Sequence, residues 1–199
     1  MIKIGITGGI ASGKSIAASY CKTKGAYIFN ADQKSKSHLK QSLSLQKKII
    51  NVFGGKIAPN NKINLDLLAK EAFKNKINIE ILNGIMWPEV FLLINREYDK
   101  IKNKKQYNLF IVDAALIFEA NYNNFFDSTI LIKASKKIRI ERAIKRKNIS
   151  LENIQNRISF QMTDVDKSKL ADYIIKNEYS TKNLYNKLDK IINQITLVK

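Results

Sequence analysis

Lys14 and Ser15 stand directly behind a glycine, and the run that leads to them, Gly8-Gly-Ile-Ala-Ser-Gly13-Lys14-Ser15, has the spacing G-x-x-x-x-G-K-[ST]. These residue types at this spacing are suited to holding phosphate. Glycines let backbone N–H groups turn inward around phosphate oxygens, which side chains would obstruct. A helix beginning near Gly13 adds the positive end of its dipole. Lys14 would then reach the β- and γ-phosphates of a nucleotide, and Ser15 would offer its hydroxyl to Mg²⁺. The candidate nucleotide-binding residues are therefore Gly8, Gly9, Ile10, Ala11, Ser12, Gly13, Lys14, Ser15 and Ile16. A chance match in a loop is the competing reading, but this motif follows a strand pattern and opens a helix pattern, as phosphate binding requires.

Two carboxylates could act on a phosphate held there. Asp32 and Asp113 each close an apolar run, "YIFNAD" and "LFIVD". In a parallel sheet those ends lie on the same edge as the phosphate loop. One carboxylate could orient an attacking hydroxyl while the other holds Mg²⁺ through water. An aspartate capping a helix or a turn is the plainer reading for either one alone. A third group lies in "KASKKIRIERAIKRKN", with eight basic residues and one acid. Arg139, Arg142 and Arg146 fall at i, i+3 and i+7 and share one helix face. Arginine can clamp phosphate bidentately, which lysine cannot match. A solvated helix face and an RNA-binding stripe are the alternatives. Neither explains why arginine clusters here in a chain whose basic residues are mostly lysine. Trp87, beside Met86 and Pro88, could line a pocket or simply fill a core. Cys21 and His38 receive no catalytic role, and His38 reads as a surface helix residue.

The elements that must position these residues follow from periodicity. Lys3–Thr7 reads as a buried strand, followed by a helix that Gly25 closes. Tyr27–Asn30 then reads as a second, parallel strand leading to Asp32. From about Ser35 to Lys104 apolar residues recur at helical spacing, with Pro88 marking a bend or a helix start. Strand patterns return at Leu109–Val112, Thr129–Ile132 and Asp172–Ile175. A basic, helix-rich stretch occupies Ser135–Lys169, and Leu184–Ile195 reads as an amphipathic helix. Five short strands separated by helices predict a three-layer α/β/α fold around a five-stranded parallel sheet, with two helical insertions. Ligands of such sheets bind outside the carboxyl ends of the strands.

Composition narrows the classes. The chain has 199 residues and is 45% hydrophobic, with one cysteine and one histidine. That length suits one large domain or a core with insertions. An internal disulfide and a multi-thiolate metal site are excluded, and a histidine-based metal site is disfavoured. The sequence contains no uninterrupted apolar run of membrane-spanning length and no signal-peptide layout at its start, so a cytoplasmic setting without a membrane partner is expected. The net charge of +18 points toward an anionic partner. A Lys/Asn/Ile-rich composition of the kind AT-rich coding produces explains much of that charge, so nucleic acid is not favoured as a partner.

Taken in order, several stretches resemble the dephospho-coenzyme A kinase family: "IGITGGIASGKS", "GAYIFNAD", "LNGIMWPEV", "FIVDAALIFE", "RIERAIKR", "NRISFQM" and "KSKLADYIIKN". The phosphate loop alone is shared with very many proteins, whereas the ordered set covers about residues 1 to 180. The resemblance implies a P-loop kinase with a nucleotide-binding core (1–34, 105–134 and 170–199), a helical substrate domain (35–104) and a lid (135–169). It implies ATP and Mg²⁺ as cofactors. It also implies phosphorylation of the ribose 3′-hydroxyl of dephospho-CoA, the last step of CoA synthesis. By position, Asp32 would be the catalytic base, and Lys14 and Arg142 would be catalytic. Arg142 and Arg146 would contact nucleotide from the lid, followed by Arg157 and Gln161. Asn177 would sit near adenine. Asp32, Trp87 and Asp113 would face substrate, and Ser15 with Asp32 or Asp113 would serve the metal. Four positions depart from the family pattern. Trp87 replaces a usual histidine, Ala115 a usual proline and Ala11 a frequent glycine, and Glu178 follows Asn177 where a glycine-like turn is usual. Ala11 fits if its φ is negative. Another small-molecule P-loop kinase, for nucleosides or nucleotides, is the nearest alternative, and an ATP-dependent nucleic-acid-binding protein a more distant one.

Overall fold

The computed structural model describes residues 1–104, 106–145 and 150–197. Five strands, β1 (Ile2–Thr7), β2 (Tyr27–Asn30), β3 (Leu109–Asp113), β4 (Ser128–Lys133) and β5 (Tyr173–Lys176), form one sheet in the order β2-β3-β1-β4-β5. All pairings are parallel. Successive strands leave β1 in opposite directions, which puts the switch in strand order at the carboxyl ends of β1 and β3. Register places Ile6 opposite Asp113 and Asn30 opposite Asp113. The end of β3 is thus flanked by the approach to the phosphate loop on one side and the end of β2 on the other.

The described residues pack as two units, Met1–Asn30 with Glu97–Lys199, and Ala31–Arg96. In the first, β-branched residues alternate by face along each strand, as the two-residue period demands. Ile4, Ile6, Ile111, Ile130 and Ile132 point to one side. Helices α1 (Lys14–Thr23) and α9 (Thr181–Leu197) cover that side with Ala17, Cys21, Leu184 and Leu188. Burial pushes the Cys21 thiol up to about 12, so it remains a protonated packing group. On the other side Phe110 meets Tyr98 edge-to-face, and Phe125 stacks edge-on to Phe126. Tyr27 donates a hydrogen bond to Glu97, and burial is the main cause that raises its phenol pKa. Helices α6 (Lys136–Lys145), α7 (Leu151–Ser159) and α8 (Asp164–Leu170) fall between β4 and β5. In α7 and α8 the side chains of Ser150 and Thr163 cap the first turn, satisfying N–H groups that a helix start leaves open.

The second unit holds α2 (Ala31–Gln41), α3 (Leu43–Phe53), α4 (Leu65–Ala72) and most of α5 (Lys76–Ile101). Its core is Leu39, Leu45, Ile49, Phe53, Ile57, Leu68 and Ile85. Ser42 and Asn64 cap α3 and α4. Pro88 neither starts nor ends a helix, because α5 runs through it. Proline withdraws one N–H and crowds the carbonyl four residues earlier, and that earlier residue is Gly84. The helix survives because residues on both sides of Pro88 are anchored, Ile85 and Ile94 being buried. By length and composition, α5 is long enough and apolar enough to cross a membrane. The expectation that no such stretch exists counted uninterrupted apolar residues, whereas an average over 18 residues of the helix tolerates Asn83, Gly84 and Glu89. His38 is also more than a surface residue. Its Nε2 lies 2.9 Å from Glu89 Oε2, and only 23% of its side chain is exposed. A groove of about 380 Å³ beside it is lined by Gln33, Lys34, Ser37, Gln41 and Leu93. Trp87, half-buried on α5, is not among those residues.

Leu188 is fully buried beneath the sheet, so Leu188→Ala should cost about 3 kcal/mol. Thermal denaturation should show a Tm lower by about 6–12 °C. A change below about 2 °C would mean that α9 is not part of this core.

Candidate active site

The phosphate loop joins β1 to α1 and is shaped by what presses on it from behind. Gly8 and Gly13 have φ of 148° and 106°. A Cβ on Gly13 would collide with the Asn177 amide. Asn177 is buried at the end of β5. Its backbone N–H donates to the Lys133 carbonyl at 2.8 Å, and its Nδ2 donates to the Ser12 carbonyl, also at 2.8 Å. The side-chain amide is thus committed to the loop backbone. Ser12 N donates to the Gly9 carbonyl at 3.2 Å, and Ala17 N to the Gly13 carbonyl at 3.0 Å, which closes the loop and begins the helix.

Ala11 adopts φ of 58°, not the negative value expected. An L-residue in that region pays roughly 1 kcal/mol. Its methyl is buried with Ala143 of α6 and Ile154 of α7, which returns about 0.8 kcal/mol. The two effects nearly offset. Ile10 packs against the same cluster, and Ile16 is 39% exposed on α1.

At the helix start, Ser15 Oγ donates to Asp113 Oδ2 at 2.8 Å. Asn30 Nδ2 approaches the same oxygen at 3.3 Å. Asp113 is only 4% exposed. Burial of a carboxylate is tolerable because donors from two elements face it. A hydroxyl and a carboxylate at hydrogen-bond distance offer hard oxygen ligands of the kind Mg²⁺ takes. Mg²⁺ characteristically keeps several waters and uses one or two carboxylates together with substrate phosphates. Among the described residues no cluster of three His, Cys, Asp or Glu side chains exists. Asp32 occupies a different place. It lies two residues beyond the end of β2, exposed in the first turn of α2, in the helical unit. Its carbonyl accepts from Ser35 Oγ at 3.1 Å.

Within the basic stretch Lys136, Lys137 and Lys145 are exposed, but its described arginines are not on a solvated face. Arg139 is 8% exposed, and its nearest carboxylate is Asp164 Oδ2 at 3.7 Å. Arg142 Nη1 and Gln161 Oε1 are buried and have no hydrogen-bond partner among the described residues. Arg157 is exposed on α7, and Arg146 lies outside the described residues. One buried pair escaped the sequence reading. Lys167 on α8 is 0% exposed, 2.8 Å from Glu119 Oε1 and 2.9 Å from the Ala115 carbonyl. Glu119 Oε1 also accepts from the Met162 N–H at 3.0 Å, and Thr7 Oγ1 donates to the Ala115 carbonyl at 3.2 Å. This pair ties the turn after β3 to α8. Lysine and glutamate are so rarely buried whole that only the pairing of two distant positions could have signalled it.

A strand–loop–helix phosphate cradle on a parallel sheet, with a serine–aspartate pair at its mouth, defines a kinase of the P-loop class. The comparisons make the family specific. The model of the dephospho-CoA kinase family matches residues 2–183. A dephospho-CoA kinase of Fusobacterium nucleatum is 33% identical over 193 residues, covering 96% of this chain and 97% of the relative. Among solved structures, a dephospho-CoA kinase from Campylobacter jejuni aligns at a TM-score of 0.68 and 27% identity, covering 97% of this chain and 96% of that one. A Thermus thermophilus protein shares the fold at a TM-score of 0.80 and 24% identity over 97% of both chains. The chain belongs to the dephospho-CoA kinase family.

Because strain and packing at Ala11 oppose one another, Ala11→Gly should change stability by no more than about 1 kcal/mol. In thermal melts Tm should stay within about 4 °C of the parent. A loss of more than about 2 kcal/mol would show that the methyl contact outweighs the strain.

Proposed function

We propose that this chain transfers the γ-phosphoryl group of ATP to the ribose 3′-hydroxyl of dephospho-CoA, giving CoA and ADP, the last step of CoA biosynthesis. The observation that carries the reading is the 2.8 Å Ser15–Asp113 pair beside the phosphate loop, in a chain matched by the family model along residues 2–183. In the reaction the 3′-oxygen attacks the γ-phosphorus in line. The bond to the β-bridging oxygen breaks, and ADP leaves. Asp32 orients the hydroxyl and takes its proton late. Lys14 and Arg142 neutralise the charge that spreads over the equatorial oxygens. Phosphoryl transfer of this loose kind depends on positioning and charge more than on covalent help from the protein.

Ser15 and Asp113 would hold Mg²⁺, which when bound would neutralise phosphate charge. Gly8 to Ile16 form the nucleotide cradle. Residues 35–104 take the substrate, with Trp87 facing it. Residues 135–169 act as a lid, with Arg146 among its arginines, and exclude water that would otherwise compete as acceptor. Residues 1–34, 105–134 and 170–199 form the core. Asn177 holds the loop from behind through the Ser12 carbonyl, and its strand end leads toward the adenine. The setting is cytoplasmic.

Two measurements test this. In a panel of acceptors, ATP consumption should be supported by dephospho-CoA and not by nucleosides or nucleoside monophosphates. Turnover with a nucleoside and none with dephospho-CoA would replace this reading by the nucleoside-kinase one. Asp32→Asn should lose roughly a hundredfold or more in kcat while ATP affinity is kept. Parent-like turnover in that variant would remove Asp32 from the chemistry.

A further inference from the structure

Arg139 carries a charge that its surroundings only half satisfy. Its side chain is 9% exposed, yet among the described residues its Nε has no hydrogen-bond partner. Asp164, at 3.7 Å, is too far for a hydrogen bond. Taking a guanidinium out of water is costly unless it is both paired and hydrogen-bonded. What Arg139 touches instead is the phosphate loop. A Cβ on Gly9 would collide with Arg139 Nη1, and would come within 3.6 Å of Gln161 Oε1, itself a buried atom without a partner. The bare Cα of Gly9 is therefore what lets the guanidinium lie on the loop. A planar fork of donors lies against the phosphate loop, held by a long ion pair.

We propose that Arg139 is a phosphate-contacting residue of the ATP site and that Asp164 is its exchange partner. Without nucleotide the carboxylate partly neutralises the guanidinium. With nucleotide the phosphate oxygens take the fork bidentately, and Asp164 is left to the first turn of α8. In this arrangement Asp164 competes with ATP. The inference rests on the reading of the loop as an ATP site and adds to it a residue beyond Lys14 and Arg142. A purely structural brace between α6 and the loop would have a different signature. Losing either member would lower stability, and removing the acid would never improve binding.

Binding of ATP and of inorganic tripolyphosphate to the full chain, measured by calorimetry beside thermal melts, separates the two. Arg139→Gln should weaken both ligands by the same factor, tenfold or more, because the contact is to phosphate and not to the base. Arg139→Lys should lose less, since it keeps the charge without the fork. Asp164→Asn should tighten both ligands threefold or more. If the parent chain binds neither ligand, the ATP-site reading falls and this inference with it. If the parent binds both, then unchanged affinities in Arg139→Gln, or weaker binding in Asp164→Asn, overturn the role of Arg139 and leave the ATP-site reading standing.

Discussion

The hydrogen bond from Asn177 Nδ2 to the Ser12 carbonyl is the constraint on which the site depends. It crosses from the end of β5 to the back of the phosphate loop, joining positions 165 residues apart in sequence. Loop N–H groups that face an anion leave the loop carbonyls pointing away, where they need partners of their own. Asn177 satisfies one of them directly. The same amide fills the space where a Gly13 side chain would lie, so the glycine and the asparagine require each other. The last strand of the sheet therefore helps to shape the first loop of the chain. The position of Ser15 against Asp113 follows, because Ser15 is the second residue of the helix that the loop begins.

The helices between β4 and β5 are fastened to this frame at three kinds of contact. Ala11 shares a buried cluster with α6 and α7. Lys167 and Glu119 form a pair with no exposure on the lysine side. Arg139 lies against Gly9. The first is apolar and tolerant of small change. The second is a buried charge pair, whose members are far more costly to separate than the pair is worth as a whole. The third is the least satisfied, with one donor unpaired and its carboxylate at a distance. A contact of that kind is poised to exchange partners when a stronger anion arrives, whereas the lysine pair is built to persist.

Much of this was legible in the sequence where local chemistry decides it. The five strands read from apolar runs that end in threonine, asparagine, aspartate or lysine. The loop read from glycine spacing, and Asp113 read as a sheet-edge carboxylate. What the sequence hid depends on contacts between distant positions. Asp32 sits in the first turn of α2 rather than at a strand end, because β2 stops at Asn30 where its pairing with β3 stops. Ala11 takes a positive φ because the cluster behind it holds its methyl. Arg139 read as part of a phosphate-clamping arginine face and Lys167 drew no separate reading, since nothing in their neighbours announces Asp164 or Glu119. His38 found Glu89 across two helices in the same way. The excess of lysine that gives +18 made such buried cations harder to pick out.

The central claim is that phosphate held in the Gly8–Ser15 loop moves to a ribose hydroxyl of dephospho-CoA. The most direct measurement follows the phosphoryl group itself. ATP carrying ¹⁸O on the γ-phosphoryl oxygens is incubated with dephospho-CoA and the protein, and the products are resolved by mass spectrometry and ³¹P NMR. The label should appear in a monoester on the ribose 3′-oxygen, with ADP unlabelled. Label recovered only as inorganic phosphate, or in a monoester at any other position, would contradict it.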